Sequence, residues 1–543
     1  MRYLELFFCL ALAVAVSAAQ SLPSQQPSSL CSPSATEYFK DEINYSLTLQ
    51  QMIDEAESLQ NPVVYLPPGI FTLDPATPII LKRGVSLKGD PNMPSILSVR
   101  TGINDTGSIE VSEDNGSWSI EDIVFDNVNI IVAENQNEDN AAVLGNLFFN
   151  GGRGSVIAKN GGNLLIDGNI FLRDEPHAGT ELIPNYNTTN TGILFHTQKN
   201  SIISNNIFGM DLRKLDELEP VINPQLARPM RNLRFMHECL NKFDLADEQG
   251  YIASGIQMYS TLDITIAQNI LNATFPDTKP IAQDHGISVV GCNRTNILQN
   301  FFAGWQVGDF GGGVRFTSTV DAYVISNYFA NAGVYMYAAA HADYLQVSNI
   351  VVYNNFLYKF LGEDVAPVAE EQKGWLYEGI TFFDFYTARL NYTIRPPIWN
   401  ESVPISPLGS HIVISSNKFG AVENLAPDII NLGNLNPQEA FVDPKNCYVT
   451  EPFNEEDEDE QRLVHSVPIV WRQLFHKDRT TKFGSFVPQK TVDYVTSDLH
   501  NQIPPHWRQL PIPQFWKGFT LRNDTVPMFN PDTACTRNAA PLA

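Results

Sequence analysis

The sequence predicts an all-β fold, a parallel β-helix (β-solenoid) with an N-terminal capping helix and an irregular C-terminal extension. The first observation behind this is an internal repeat: SVIAKNGGNLLIDGN, GILFHTQKNSIISNN, GIQMYSTLDITIAQN, GISVVGCNRTNILQN and GVRFTSTVDAYVISN follow one another between about 150 and 420. Each copy opens on Gly (once Ser), alternates through one strand, turns, alternates through a second strand and ends on Asn. The second observation is the spacing. Gly192 to Asn206, Gly255 to Asn269, Gly286 to Asn300 and Gly313 to Asn327 span the same length, and successive Asn anchors (Asn146, Asn169; Asn269, Asn300, Asn327, Asn355) are separated by one coil's worth of chain. Third, an apolar pair follows each anchor: Ile170-Phe171, Ile207-Phe208, Ile270-Leu271, Phe301-Phe302, Tyr328-Phe329. Units of three short strands cannot bury a core singly; stacking buries one continuous apolar column. A repeated Asn suits the turn, because it tolerates left-handed φ and bonds local backbone.

The elements follow in order. Met1-Arg2, the apolar run Leu4–Val16 and the small residues Ser17 to Ala19 have the pattern of a secretory signal peptide, residues 1–19. A mature chain that is secreted and extracellular follows, with no membrane span after cleavage. Ser46 to Leu59 places Leu47, Leu49, Met52, Ile53 and Ala56 at helical spacing. The solenoid domain is expected over 20–440. Two anchor steps, Asn206 to Asn269 and Asn355 to Asn417, are too long for a single coil, so insertions are expected near 210–250 and 358–408. Residues 441–543 form the C-terminal extension: Glu455 to Glu460 reads as a solvated acidic loop, and the Pro- and Trp-rich remainder as a segment packed on the solenoid or capping it.

Acids outnumber bases 60 to 35 over 543 residues, a net charge of −25. That excludes nucleic acid as a partner, since phosphate recognition needs a basic footprint. An anionic polymer would need a local basic patch against this average field. No P-loop, dinucleotide fingerprint, HExxH or GxSxG occurs, which removes the NTPase, oxidoreductase and serine-hydrolase classes. Past the signal, Cys31, Cys239, Cys292, Cys447 and Cys535 remain; order in the chain suggests Cys239–Cys292 and Cys447–Cys535 bridges, with connectivity open. N-glycosylation sequons stand at Asn44, Asn104, Asn115, Asn187, Asn272, Asn293, Asn391, Asn400 and Asn523. A monomer is expected.

A short helix followed by VVYLPPGIF and PIILKRGVSLKGD, Val63 to Asp90, resembles the opening of the pectin-lyase-like parallel β-helix superfamily. The resemblance covers about 46–420 and implies a right-handed coil whose first turn is shielded by the helix. It implies less about activity, because one fold hosts many chemistries.

Alternation in the first strand of each copy assigns its faces. Ile193, Ile256, Ile287, Val314, Val334 and Ile380 should point in. One outward column is then Leu194, Gln257, Ser288, Arg315, Tyr335 and Thr381; the next is His196, Tyr259, Val290, Thr317, Tyr337 and Phe383. His196, Tyr259, Tyr335, Tyr337 and Phe383 make an aromatic stripe suited either to stacking on sugar rings or to packing beneath a covering segment. By resemblance to pectate lyases, Arg315 is the proton-abstracting base or a carboxylate clamp, with Asp284 and Asp309 as acid/base groups or ligands of a possible Ca²⁺. By resemblance to polygalacturonases, Asp284-His285-Gly286 and Gly313-Val314-Arg315 make His285 a further catalytic candidate, although the paired Asp of that family is absent and hydrolysis normally needs two carboxylates. Asp174-Glu175-Pro176-His177 resembles an alginate-epimerase motif with the order changed. The expected activity is on an extracellular polysaccharide, by β-elimination on a uronate polymer ahead of glycoside hydrolysis. The alternative is a non-catalytic glycan-binding or structural β-helix protein.

Overall fold

The computed structural model describes the coils between residues 45 and 449 and the short strand Ile469–Val470. Residues 1–44, 173–190, 213–225, 240–248, 273–284, 306–311, 339–345, 360–378, 385–405, 422–429, 450–468 and 471–543, with shorter stretches, lie outside the described residues. The strands form three parallel sheets of 12 strands each and, setting aside the two-stranded pair of the insertion, every third strand in chain order joins the same sheet. That order is a parallel β-helix, closed at its start by the helix Ser46–Ala56, which buries Leu49, Ile53 and Ala56 against the first coil. Solenoid strands continue past 440, through Ala440–Val442 and Cys447–Val449 to Ile469–Val470.

The core is built by stacking like on like. Ile193, Ile256, Ile287, Val314, Val334 and Ile380 pair in register and are fully buried, as alternation requires. Of each apolar pair after the anchor, the second residue turns in: Phe125, Phe148, Phe171 and Phe208 stack with centroids 4.8–4.9 Å apart. The first residue turns out. Ile170 and Ile207 lie in a second apolar cluster with Met230, Leu233, Phe235 and Met236 of the helix Ala227–Glu238. This helix fills part of the expected 210–250 insertion, and the insertion is closed by the antiparallel pairing of Met210–Asp211 with Gln249–Gly250. The other long step holds the ordinary coil strand Ile380–Asp384 between segments outside the described residues.

Asn146, Asn169, Asn206, Asn269, Asn300, Asn327, Asn355, Asn417 and Asn446 form a continuous buried ladder. Each side-chain oxygen accepts from the preceding Asn, or from Ile123 at the first rung; each amide donates to a core-strand carbonyl and, except at Asn446, to the next rung. Full pairing is what makes so many buried amides tolerable.

The expected Cys239–Cys292 bridge does not form. Cys292 is a free thiol with no exposed surface, its sulfur against the carbonyls of Met258 and Val290. The turn before Asn293 points it into the core, where Cys239, at the end of the outer helix, cannot reach it. Cys535, needed for the second bridge, lies outside the described residues.

Candidate functional site

The outward face of the third sheet is formed by Gly154–Lys159, Thr191–His196, Ser254–Tyr259, His285–Val290, Gly312–Thr317, Val334–Ala338 and Ile380–Asp384. Both expected columns exist in register: Leu194, Gln257, Ser288, Arg315, Tyr335 and Thr381 are successive partners, as are His196, Tyr259, Val290, Thr317, Tyr337 and Phe383. Lys159 extends the second column by one coil and is exposed.

The strands also carry a third outward column that simple alternation misses. The repeat Gly turns toward the core: a Cβ on Gly192 would lie 2.7 Å from the Phe208 ring, and one on Gly255 2.4 Å from the Gly286 carbonyl oxygen. Gly and the residue after it therefore both face in, and the residue before it faces out. So Ser254 accepts from Gln257 Nε2 at 3.1 Å, and His285 meets Arg315. The signal was present in the Gly itself, since only a missing side chain lets two coils approach this closely.

Arg315 is the centre of the face. Its Nη1 donates to His285 Nε2 at 2.7 Å and its Nε to Thr317 Oγ1 at 3.2 Å, while its Cζ stands 5.3 Å from the Tyr337 ring centroid. A guanidinium only donates, so His285 Nε2 is the acceptor and the imidazole proton is on Nδ1. The ring under the cation adds a cation–π contact. Arg315 is partly exposed, whereas His285 and Tyr337 are each 1% exposed. His285 therefore positions Arg315 from beneath. Tyr335 is placed over Gly312, where any Cβ would lie 2.3 Å from its ring.

Exposure changes along the sheet. Lys159 is exposed, and His196, Tyr259 and Val290 are partly exposed. His196 and Tyr259 stack at 4.9 Å and 11°, a flat aromatic pair. Tyr335, Thr381 and Phe383, further along, are buried although they face outward. The aromatic stripe is thus divided into an accessible half and a covered half. None of the six strands from Gly154–Lys159 to Val334–Ala338 contains Asp or Glu.

Asp284 and Asp309, with Asp174 and His177, lie outside the described residues. Among the described residues no group of three His, Cys, Asp or Glu could hold a metal ion, and the possible Ca²⁺ ligands Asp284 and Asp309 lie outside those residues. Of the sequons, Asn272 and Asn293 are described. Asn293 begins the strand Asn293–Leu298 with its Oδ1 buried, and Thr295 of that sequon is wholly buried.

No protein-family model matches the chain, and no curated protein matches it in sequence. Solved structures of low identity do. The surface protein and adhesin PfbA of Streptococcus pneumoniae is 13% identical with a TM-score of 0.41, covering 77% of this chain and 96% of that one. The mannuronan C-5 epimerase AlgE4 A-module of Azotobacter vinelandii is 12% identical with a TM-score of 0.35, covering 77% and 94%. An endo-xylogalacturonan hydrolase from Aspergillus tubingensis is 11% identical with a TM-score of 0.33, covering 73% and 88%. The fold assignment stands on the three sheets, and the chemistry has to be argued from the face itself.

Proposed function

We propose that this is a secreted protein acting on an extracellular polysaccharide, and that uronate carboxylates are what the third-sheet face recognises. The observation that carries this is Arg315, fixed by His285, Thr317 and Tyr337 on strands without a single acid, in a chain of net charge −25. An anionic polymer is repelled by the average field and accepted by this strip. A guanidinium donating to imidazole is a charged group and a poor base, so the arrangement fits a carboxylate clamp better than proton abstraction by Arg315.

The reaction favoured is β-elimination. With the uronate carboxylate neutralised by Arg315, the C5 proton becomes acidic. A base takes it, the C–H electrons form the C4–C5 double bond, the C4–O bond breaks and the departing oxygen is protonated. Asp284 and Asp309, placed by the sequence next to the strands that begin at His285 and Gly312, are the candidate base and acid.

The test is ultraviolet absorbance with polygalacturonate, polymannuronate and other uronate polymers. Absorbance from unsaturated ends should rise with the wild-type chain and be lost in Arg315→Ala, whose circular dichroism should be unchanged. A flat trace with no new reducing ends would sink catalysis. It would favour the second reading, a non-catalytic glycan-binding or structural β-helix protein.

A further inference from the structure

We infer that the third-sheet face holds a slot for a single uronate ring over Val290, between the ring of Tyr259 and the guanidinium of Arg315. The inference rests on the reading above for the class of ligand and on strand register for the place. In this solenoid like stacks on like, and rings in successive coils lie one strand interval apart. The separation is 4.9 Å between His196 and Tyr259 on the outer face, and 4.8–4.9 Å along the core rings of Phe125, Phe148, Phe171 and Phe208. After Tyr259 the outer column breaks this pattern. Its partner in the next coil is Val290, and the partner of Val290 is Thr317. Arg315 reaches across Thr317 on the same strand, its Nε donating to Thr317 Oγ1 at 3.2 Å. One coil further Tyr337 resumes the rings, with Arg315 Cζ 5.3 Å from its centroid. The order along the column is ring, ring, valine, guanidinium, ring.

Val290 is the short rung. From the strand of Tyr259 to that of Arg315 there are two strand intervals, about 9–10 Å at roughly 4.8 Å each. The strand between them carries an isopropyl group where its neighbours carry a phenol and a guanidinium. Tyr259, Val290 and Arg315 are all partly exposed, so the place is reached from solvent. A six-membered ring set on Val290 stands one rung from Tyr259, as His196 does on the other side, and one rung from Arg315. The two walls ask for different chemistry. Tyr259 offers an apolar ring to the C–H groups of a pyranose. Arg315, fixed by His285 and Thr317, offers charged N–H donors to a carboxylate. A neutral sugar satisfies only the first wall and a carboxylate without a ring only the second. A uronate satisfies both at once, and Val290 is the specificity-determining residue because its size sets the room between them.

The experiment fills the slot. Val290→Tyr extends the His196–Tyr259 stack by one rung at a partly exposed position, so the fold should tolerate it while the new ring takes the place of the sugar. Binding by the full chain is read from its retardation in native gels containing polygalacturonate or polymannuronate. The wild-type chain should be retarded by at least one polymer, Val290→Tyr should run as it does without polymer, and Tyr259→Leu should bind several-fold more weakly. Ile202→Tyr adds the same ring at a position 42% exposed on a different sheet and should bind like the wild type. Wild-type retardation of Val290→Tyr, with retardation lost in Arg315→Ala, would overturn the slot and leave uronate recognition by Arg315 standing. Tyr259→Leu binding as tightly as the wild type would overturn the slot too, however Val290→Tyr folds. Equal loss in Ile202→Tyr would overturn its placement at Val290. No retardation of the wild type by either polymer, or undiminished retardation of Arg315→Ala, would overturn both the slot and the reading beneath it.

Discussion

Replacing Asn300 by Ala tests what holds the coils together. Asn300 Oδ1 accepts from the Asn269 backbone N–H at 2.9 Å and from Asn269 Nδ2 at 3.0 Å; its Nδ2 donates to Ile266 O and to Asn327 Oδ1, both at 3.0 Å. After truncation Asn269 Nδ2 keeps Ile203 O, and Asn327 Oδ1 keeps the Asn300 N–H. The Asn269 N–H loses its partner at a position with no exposed surface. An orphaned buried donor costs about 1–3 kcal/mol, and each of the three other lost bonds about 0.5–1.5 kcal/mol, so a loss of about 2.5–7.5 kcal/mol is expected. That is a large fraction of the roughly 5–15 kcal/mol that keeps a typical domain folded. Urea unfolding followed by circular dichroism gives the number. Gln51→Ala is the control: its Nε2 donates to Glu55 Oε1 at 2.9 Å on the exposed face of the helix Ser46–Ala56, and its loss should cost within about 0.5 kcal/mol. Because Asn269 and Asn300 share bonds, Asn269→Ala combined with Asn300→Ala should cost less than the two single losses added together. Equal midpoints for Asn300→Ala and Gln51→Ala would refute the ladder as a source of stability.

Three further outcomes follow from the same geometry. Gly312→Ala forces a methyl to within 2.3–2.5 Å of the Tyr335 ring and should lower stability by about 1–3 kcal/mol in thermal unfolding, with partial recovery in Gly312→Ala combined with Tyr335→Leu; an unshifted single variant would show that the ring moves freely. Burial raises the Asp167 carboxyl above its ordinary value, more than the donors Ser204 and Asn205 lower it. The folded state then holds that proton more tightly than the unfolded one and is penalised once both are ionised, so Asp167→Asn should stabilise at neutral pH, with the gain vanishing as pH falls through the raised value toward 3.8; a constant difference across that range would contradict the sign. Burial likewise raises the Cys292 thiol, so iodoacetamide should label it only in denaturant, and labelling of the native chain, mapped by mass spectrometry, would count against its place in the core.

The architecture was legible because the repeat states the same constraint many times. A Gly that must admit a neighbouring coil, an inward β-branched or aliphatic residue after it and an Asn at the turn recur at fixed offsets, and the register of the two outward columns follows from counting. Asn446 escaped because its strand, Cys447–Val449, follows a shorter and less apolar copy. The helix Ala227–Glu238 escaped for another reason: its apolar residues, Met230, Leu233, Phe235 and Met236, answer an outer sheet face that becomes apolar only when Ile170 and Ile207 are known to point outward. The Cys239–Cys292 pairing failed because chain order carries no information about which side of a turn each sulfur occupies.

The same distinction explains why the candidate site was half legible. Period-two alternation reports the side of the strand on which Tyr259 and Tyr337 project, and both project outward. It does not report what lies above them, and Tyr259 is partly exposed while Tyr337 is buried. Nor does it reach across the repeat Gly, where the facing sense resets and brings His285 beneath Arg315. The first of these facts concerns depth rather than side, and depth is set by residues far away in sequence; the second is carried by the Gly itself. For this chain they are also the facts that matter for chemistry. A guanidinium held by the buried imidazole of His285 is what puts a fixed positive charge on an otherwise generic aromatic stripe.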